Sequence, residues 1–207
     1  MNQIRFQSGT ILPREFYAGN DVTRIARDML GKVLCSSIED HQTSGVIVET
    51  EAYCGRNDKA CHANNGLRTE RTEVMYGPPG HSYVYLCYGI HHLFNVVTNR
   101  KDIADAVLIR AIEPIEGIGQ MIERRGRGSA GDPVLTNGPG KLTQALGITV
   151  ADNRTDLCGE RIWIEDRSFE IPETEIGTGL RIGVDYAGKD ADRPWRYYMK
   201  RSSWVSC

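Results

Sequence analysis

The 207-residue chain has no Cys-x-x-Cys pair among its six cysteines, no apolar run approaching about 18 residues and no block of about five consecutive lysines and arginines. Each absence closes a class. Without paired cysteines a zinc ribbon has no ligands, and a disulfide scaffold does not suit a chain of this length, so the cysteines at 35, 54, 61, 87, 158 and 207 read as reduced packing thiols. Without a long apolar run no segment crosses a bilayer, and the opening Met-Asn-Gln-Ile-Arg-Phe-Gln lacks the apolar core of a secretory signal, so a soluble, cytoplasmic protein is expected. Repeats, low-complexity tracts and long linkers are missing too. With 40% hydrophobic and 25% charged residues, the chain is expected to form one domain over 1–207 with a substantial core.

The formal net charge of −2 argues at first against nucleic acid, but it is unevenly spread. Residues 151–175 carry eight acids and three arginines, a local net of −5 that leaves +3 for everything else. Basic residues gather at Arg124, Arg125 and Arg127, and again at Lys189, Arg193, Arg196, Lys200 and Arg201. Either group is a solvated face or, folded onto one surface, a set of phosphate contacts.

What is present is most informative at Glu49-Thr50-Glu51-Ala52-Tyr53-Cys54-Gly55-Arg56-Asn57. The preceding apolar residues predict a strand, in which alternate side chains share a face. Ile47, Glu49, Glu51 and Tyr53 then oppose Val46, Val48, Thr50 and Ala52. One face packs, and the other is either a solvated outer face or an acid or base beside an aromatic ring. Tyr83-Val84-Tyr85-Leu86-Cys87-Tyr88-Gly89-Ile90 places three of the nine tyrosines within six residues. Tyr88-Gly89 sits where a hairpin turns, and its tyrosine is either folded back over the sheet or an exposed wedge of the kind inserted between bases.

Elsewhere the pattern is coarse. Asn20 or Asp21 caps a helix whose apolar stripe is Val22, Ile25, Ala26, Met29 and Leu30 and which Gly31 ends. Further helices are predicted from Pro114 to about Arg125 and from Pro139 to Leu146. Strands are predicted near 33–38, 45–53, 82–87, 91–98, 106–112, 161–165, 180–185 and 195–200. Short turns between several of them favour an α+β class with a curved, mostly antiparallel sheet and packed helices.

Glu-Thr-Glu-Ala-Tyr, His62 nine residues after Tyr53, Arg-Thr-x-Arg at 68–71, Pro-Gly at 79–80, Tyr-Val-Tyr-x-x-Tyr-Gly at 83–89, Asn95, Leu-Ile-Arg-Ala-Ile-Glu-Pro at 108–114 and Gly-Pro-Gly-Lys-Leu at 138–142 run in one order along the chain. Together they resemble the alkyladenine (3-methyladenine) DNA glycosylase family over about Phe16 to Trp204. The resemblance implies a monofunctional glycosylase that flips alkylated or deaminated purines out of duplex DNA, with no cofactor, no metal and a monomeric chain. It implies Glu51 as the general base for a water that attacks the sugar, Arg110 as the residue positioning that water and the carboxylate, and Ile182 as the residue whose backbone carbonyl accepts from the same water. Tyr53, His62 and Tyr85 would sandwich the flipped base, Asn95 would crowd the exocyclic amine of normal guanine, and Tyr88 would fill the gap in the duplex as a hairpin wedge. No lysine occupies a catalytic motif position, and Lys59 reads as a solvated loop residue, so no Schiff base is expected. The chain departs from the family pattern at Arg68-Thr69-Glu70-Arg71, where Pro commonly precedes the second arginine, and at Glu73; both add acid to a segment expected near DNA. Residues 96–107 also suggest a slightly longer loop.

Other chemistries fit less well. A sugar glycosidase built on Glu49 and Glu51 would hold its carboxylates only about 7 Å apart on one face, whereas the pair must flank a bond. Gly140-Lys141 is followed by Leu142, which excludes a P-loop, and Cys61, His62, His91 and His92 lack ligand spacing. A non-catalytic lesion-binding module on the same scaffold is the remaining alternative.

Overall fold

A computed structural model describes residues 9–206, so residues 1–8 and Cys207 lie outside it. The chain builds an α+β domain around one sheet of nine strands: β1 (Thr10–Ile11), β2 (Val33–Ile38), β3 (His41–Cys54), β4 (Ser82–Cys87), β5 (His91–Thr98), β6 (Asp105–Glu116), β7 (Ile162–Asp166), β8 (Ile176–Gly179) and β9 (Arg196–Met199). The order is β1-β7-β2-β3-β6-β5-β4, with β8 and β9 added where β9 pairs β3. Each of these strand pairings is antiparallel.

Helices α1 (Arg14–Tyr17), α2 (Val22–Asp28), α3 (Ile118–Arg125) and α4 (Pro139–Leu146) pack around the sheet. Asp21 caps α2 by accepting from the backbone N–H groups of Thr23 and Arg24, worth about 1 kcal/mol. The stripe Val22, Ile25, Ala26, Met29 and Leu30 is buried in the main core. Each of its four large side chains contributes about 1.5–3 kcal/mol. Thr50 on β3 donates its hydroxyl to Ala26 O of α2, tying the helix to the central strand at 2.7 Å.

Three expectations are corrected. A bulge in β3 between Ile47 and Glu49 changes the parity of the strand. Ile47 therefore joins Val48 and Ala52 in the main core, while Val46 packs with Val33, Cys35 and Trp163 on the other side. Pro114 starts no helix: it lies in β6 opposite Gly45, beside a register shift where its missing N–H is tolerated. α3 begins only after Gly117, whose φ of 68° breaks the strand. Residues 180–185 are not a strand, because the real strand, β8, stops at Gly179 and Arg181 turns inward while Gly183 takes φ 76°.

The acidic segment 151–175 supplies β7, which lies between β1 and β2 at the end of the sheet away from β4 and β5. Among the described residues no helix is long and apolar enough to cross a membrane. Cys35, Cys54, Cys61, Cys87 and Cys158 are free thiols, the first three buried.

Candidate active site

The bulge that re-aims β3 leaves Glu49, Glu51 and Tyr53 on one face, and β6 brings Arg110 beneath them. Both glutamates are fully buried. Their surroundings differ. Glu49 accepts from Arg110 Nε at 3.2 Å and Arg196 Nη1 at 3.0 Å through Oε1 and from the Ser206 backbone N–H at 2.7 Å through Oε2, contacts that tie β6, β9 and the tail to β3. Glu51 Oε1 accepts from the Ile182 N–H at 2.8 Å and lies 3.3 Å from Arg110 Nη1. Among the described residues its Oε2 accepts from the Tyr53 hydroxyl alone, at 2.7 Å. A carboxylate oxygen has two lone pairs, so Oε2 keeps one free to take a proton. Burial and the neighbouring Glu51 carboxylate push the Tyr53 phenol well above its ordinary range, which keeps it a donor. Burial opposes the charge on Arg110, but Glu51 and Glu49 outweigh it and raise the guanidinium pKa.

Tyr53, Arg110 and Ile182, the three groups touching Glu51, all line a cavity of about 560 Å³, within the range of small-molecule sites. Glu51 lies directly behind this wall. His62, Tyr85 and Asn95 line the same cavity, and Tyr88 stands at its mouth. The His62 and Tyr85 rings meet edge to face at 4.8 Å, and His62 Nδ1 lies 2.8 Å from the Tyr83 hydroxyl. Burial and the Arg71 charge push His62 down to about 4, so its imidazole is neutral at pH 7. Burial likewise raises Tyr85, and pushes Tyr83 up to about 12. The aromatic wall is therefore uncharged and apolar, suited to stacking. Asn95 is buried on β5 and donates its amide to Tyr83 O at 3.1 Å, which fixes its orientation over the cavity.

The β4–β5 hairpin turns at Tyr88 (φ 50°) and Gly89 (φ 73°), with Ile90 N–H donating to Cys87 O. A left-handed backbone costs nothing at Gly89 but about 1–3 kcal/mol at a bulky residue. Tyr88 is nevertheless 90% exposed, and Ile90 70%. It is not folded back over the sheet.

Further side chains complete the walls of the cavity and its support. Arg71 stacks over the Tyr85 ring at 4.7 Å. Arg181 stacks over the Tyr53 ring at 4.9 Å and pairs with Asp58. Tyr186, exposed at the rim, donates to Ala60 O. Arg71 was visible within Arg-Thr-x-Arg; the Asp58–Arg181 partnership had no local signal. Glu73, counted above as an added acid, is engaged bidentately by Arg68 and presents no free charge. The 99–104 loop between β5 and β6 is tied back by Asn99 N–H to Tyr17 O and by Arg68 to Asp102.

Several side chains of the two basic groups are engaged within the protein, through neutral acceptors in the first group and through acids in the second. Arg124 donates to Ile38 O and Ala145 O, and Arg125 to Gln144 and Val134 O. Arg193, Arg196 and Arg201 pair with Asp190, Glu49 and Glu175. Lys141 lines the cavity rim, but its ammonium donates to Asn137 Oδ1 at 2.7 Å. Among the described residues no three His, Cys, Asp or Glu side chains gather in a way that could hold a metal ion.

A family model described as methylpurine-DNA glycosylase matches residues 15–203. Relatives carrying the name "Putative 3-methyladenine DNA glycosylase" are similar over most of their length. The protein from Desulfitobacterium hafniense is 48% identical, covering 94% of this chain and 98% of its own. That from Clostridium acetobutylicum is 47% identical, covering 94% and 97%, and that from Chlamydia abortus 46%, covering 91% and 98%.

Proposed function

The chain belongs to the methylpurine-DNA glycosylase family and is a DNA-3-methyladenine glycosylase of DNA repair, and from that premise we propose how its cavity does the work. The observation that carries the proposal is the placement of Glu51: a buried carboxylate behind a cavity with aromatic walls, held by three groups that all line it.

A damaged purine rotated out of the duplex stacks between Tyr53 on one side and His62 and Tyr85 on the other. Tyr88, exposed at the hairpin tip, fills the vacated step. As the N-glycosidic bond breaks, its electron pair leaves with the purine and the sugar carbon gains oxocarbenium character. Water adds to that carbon, and Glu51 Oε2 takes the water proton. Arg110 holds the carboxylate in place across the change of charge, and the Ile182 N–H fixes Oε1. The Ile182 contact shown here is its N–H; its carbonyl completes the water site in this proposal. Strand cleavage through a Schiff base is not part of it: the lysine lining the cavity, Lys141, is tied to Asn137 Oδ1, and neither it nor Lys59 is given a role in the step.

Cationic bases such as 3-methyladenine and 7-methylguanine leave readily, and neutral ones such as hypoxanthine and ethenoadenine are accepted by the same stacking walls. Asn95 disfavours normal guanine. The protein acts as a cytoplasmic monomer, one domain over residues 1–207. Incubating the chain with duplexes containing single 3-methyladenine or hypoxanthine lesions tests the reading: free base and an intact abasic strand are expected. Lesion binding without release of either base would favour the non-catalytic module instead.

A further inference from the structure

Behind the cavity lies an ion pair with no role in the steps above. Arg181 and Asp58 have completely buried side chains and meet through two contacts, Nη1 to Oδ2 at 2.5 Å and Nη2 to Oδ1 at 2.8 Å. A buried pair of this kind adds little net stability, because removing two charges from water offsets their attraction. What this pair touches is more telling. Arg181 Nη1 also donates to Ala52 O, the carbonyl between Glu51 and Tyr53, and Nη2 to Asp190 O, both at 2.9 Å. Its guanidinium lies between two rings, 4.9 Å from Tyr53 and 5.3 Å from Trp195. Asp58 in turn accepts from the backbone N–H groups of Cys54 and Ala60, at the end of β3 and on the loop leading to His62. The residue after Arg181 is Ile182, whose N–H reaches Glu51.

One guanidinium thus grips the strand bearing the carboxylate, covers one face of the Tyr53 ring, and anchors the loop whose next N–H holds Oε1. Resting on the glycosylase reading given above, we infer that Arg181, fixed by Asp58, is a positioning residue that sets the Tyr53 ring plane and the Ile182 N–H against Glu51. It touches neither base nor water. Its loss is expected to slow the chemical step far more than it weakens lesion binding, because His62, Tyr85 and the Tyr88 hairpin do not depend on it and the Tyr53 ring itself remains.

The test uses the full chain with a single-lesion hypoxanthine duplex, comparing wild type with Arg181→Lys and Asp58→Asn. Lysine keeps the charge but not the fork. The saturating single-turnover rate is expected to fall about tenfold to a hundredfold, as for loss of well-placed charged hydrogen bonds, with lesion Kd within about threefold of wild type. Amide exchange at Ile182 is expected to quicken. A folded variant with wild-type rate, or a loss confined to Kd with the saturating rate unchanged, overturns the inference. If a single variant does not melt cooperatively, Asp58→Asn/Arg181→Gln, which leaves no buried charge unpaired, is read by the same criteria. An inactive wild type would count against the glycosylase reading, whereas an unaffected variant beside an active wild type counts against positioning alone.

Discussion

Two arginines each stand between two glutamates, one just beyond the end of β7 and one on β6 against the cavity. At the far end Arg167 binds Glu116 through both terminal nitrogens at 3.1 Å and Glu165 through Nε at 2.7 Å. Ser44 also donates to Glu116, and the Trp163 indole and the Gly9 N–H to Glu165. Near the centre Arg110 links Glu49 and Glu51. The charges and residue types are the same. The difference is the third layer: Glu116 and Glu165 are surrounded by groups that only hold strands together, whereas the donors to Glu51 are the walls of an aromatic cavity. Buried paired charge by itself marks architecture as readily as chemistry. What sets Glu51 apart is that its donors line a cavity.

That contrast is sharpest in the matched pair Arg110→Gln and Arg167→Gln. The first is expected to lower the single-turnover rate about a hundredfold by loosening the base. The second is expected to leave the rate unchanged and cost about 3 kcal/mol in urea unfolding, because two carboxylates lose their shared cation. Equal rate losses would erase the distinction. Tyr53→Phe removes one hydrogen bond to Glu51 but keeps the stacking ring, so a rate loss of about tenfold with unchanged lesion Kd is expected. A change in Kd alone would place Tyr53 with the walls only. Tyr88→Gly relieves the left-handed backbone and is expected to add about 1 kcal/mol to stability while weakening lesion capture several-fold in gel-shift titration. Loss of stability instead would make the tyrosine a packing residue.

The smallest effect expected is in pH dependence. His62 is held down to about 4 in the folded state, against about 6.5 when unfolded, so the unfolded chain takes up the proton first. The stability tied to a neutral His62 is full above about pH 6.5 and is lost as pH falls toward 4. His62→Gln should flatten that part of the Tm profile, and an unaltered slope would assign the acid sensitivity elsewhere.

Local chemistry made much of this legible. Asp21 and the stripe after it gave α2, Tyr88-Gly89 gave the hairpin, and the two-residue spacing of Glu51 and Tyr53 put carboxylate and phenol on one face. The family resemblance, rather than periodicity, supplied His62, Asn95, Arg110 and Ile182, which come together from β5, β6 and two loops. What escaped did so for physical reasons. Gly45-Val46-Ile47-Val48 is apolar on both faces, so nothing in it betrays the bulge that changes parity. Pro114 has the chemistry of a helix start, and only its position opposite Gly45 makes it a strand residue. Asp58 and Arg181 are 123 residues apart and meet through tertiary packing alone.

The most direct measurement compares wild type with Glu51→Gln for lesion binding and single-turnover release of 3-methyladenine and hypoxanthine. Glutamine preserves the shape of the carboxylate and removes its ability to take a proton. If Glu51 is the base behind the cavity, the variant binds lesion duplex as tightly as wild type and releases hypoxanthine at least about a hundredfold more slowly. Normal release with weakened binding would contradict that assignment and leave Glu51 a partner of Arg110 no different in kind from Glu165 beside Arg167.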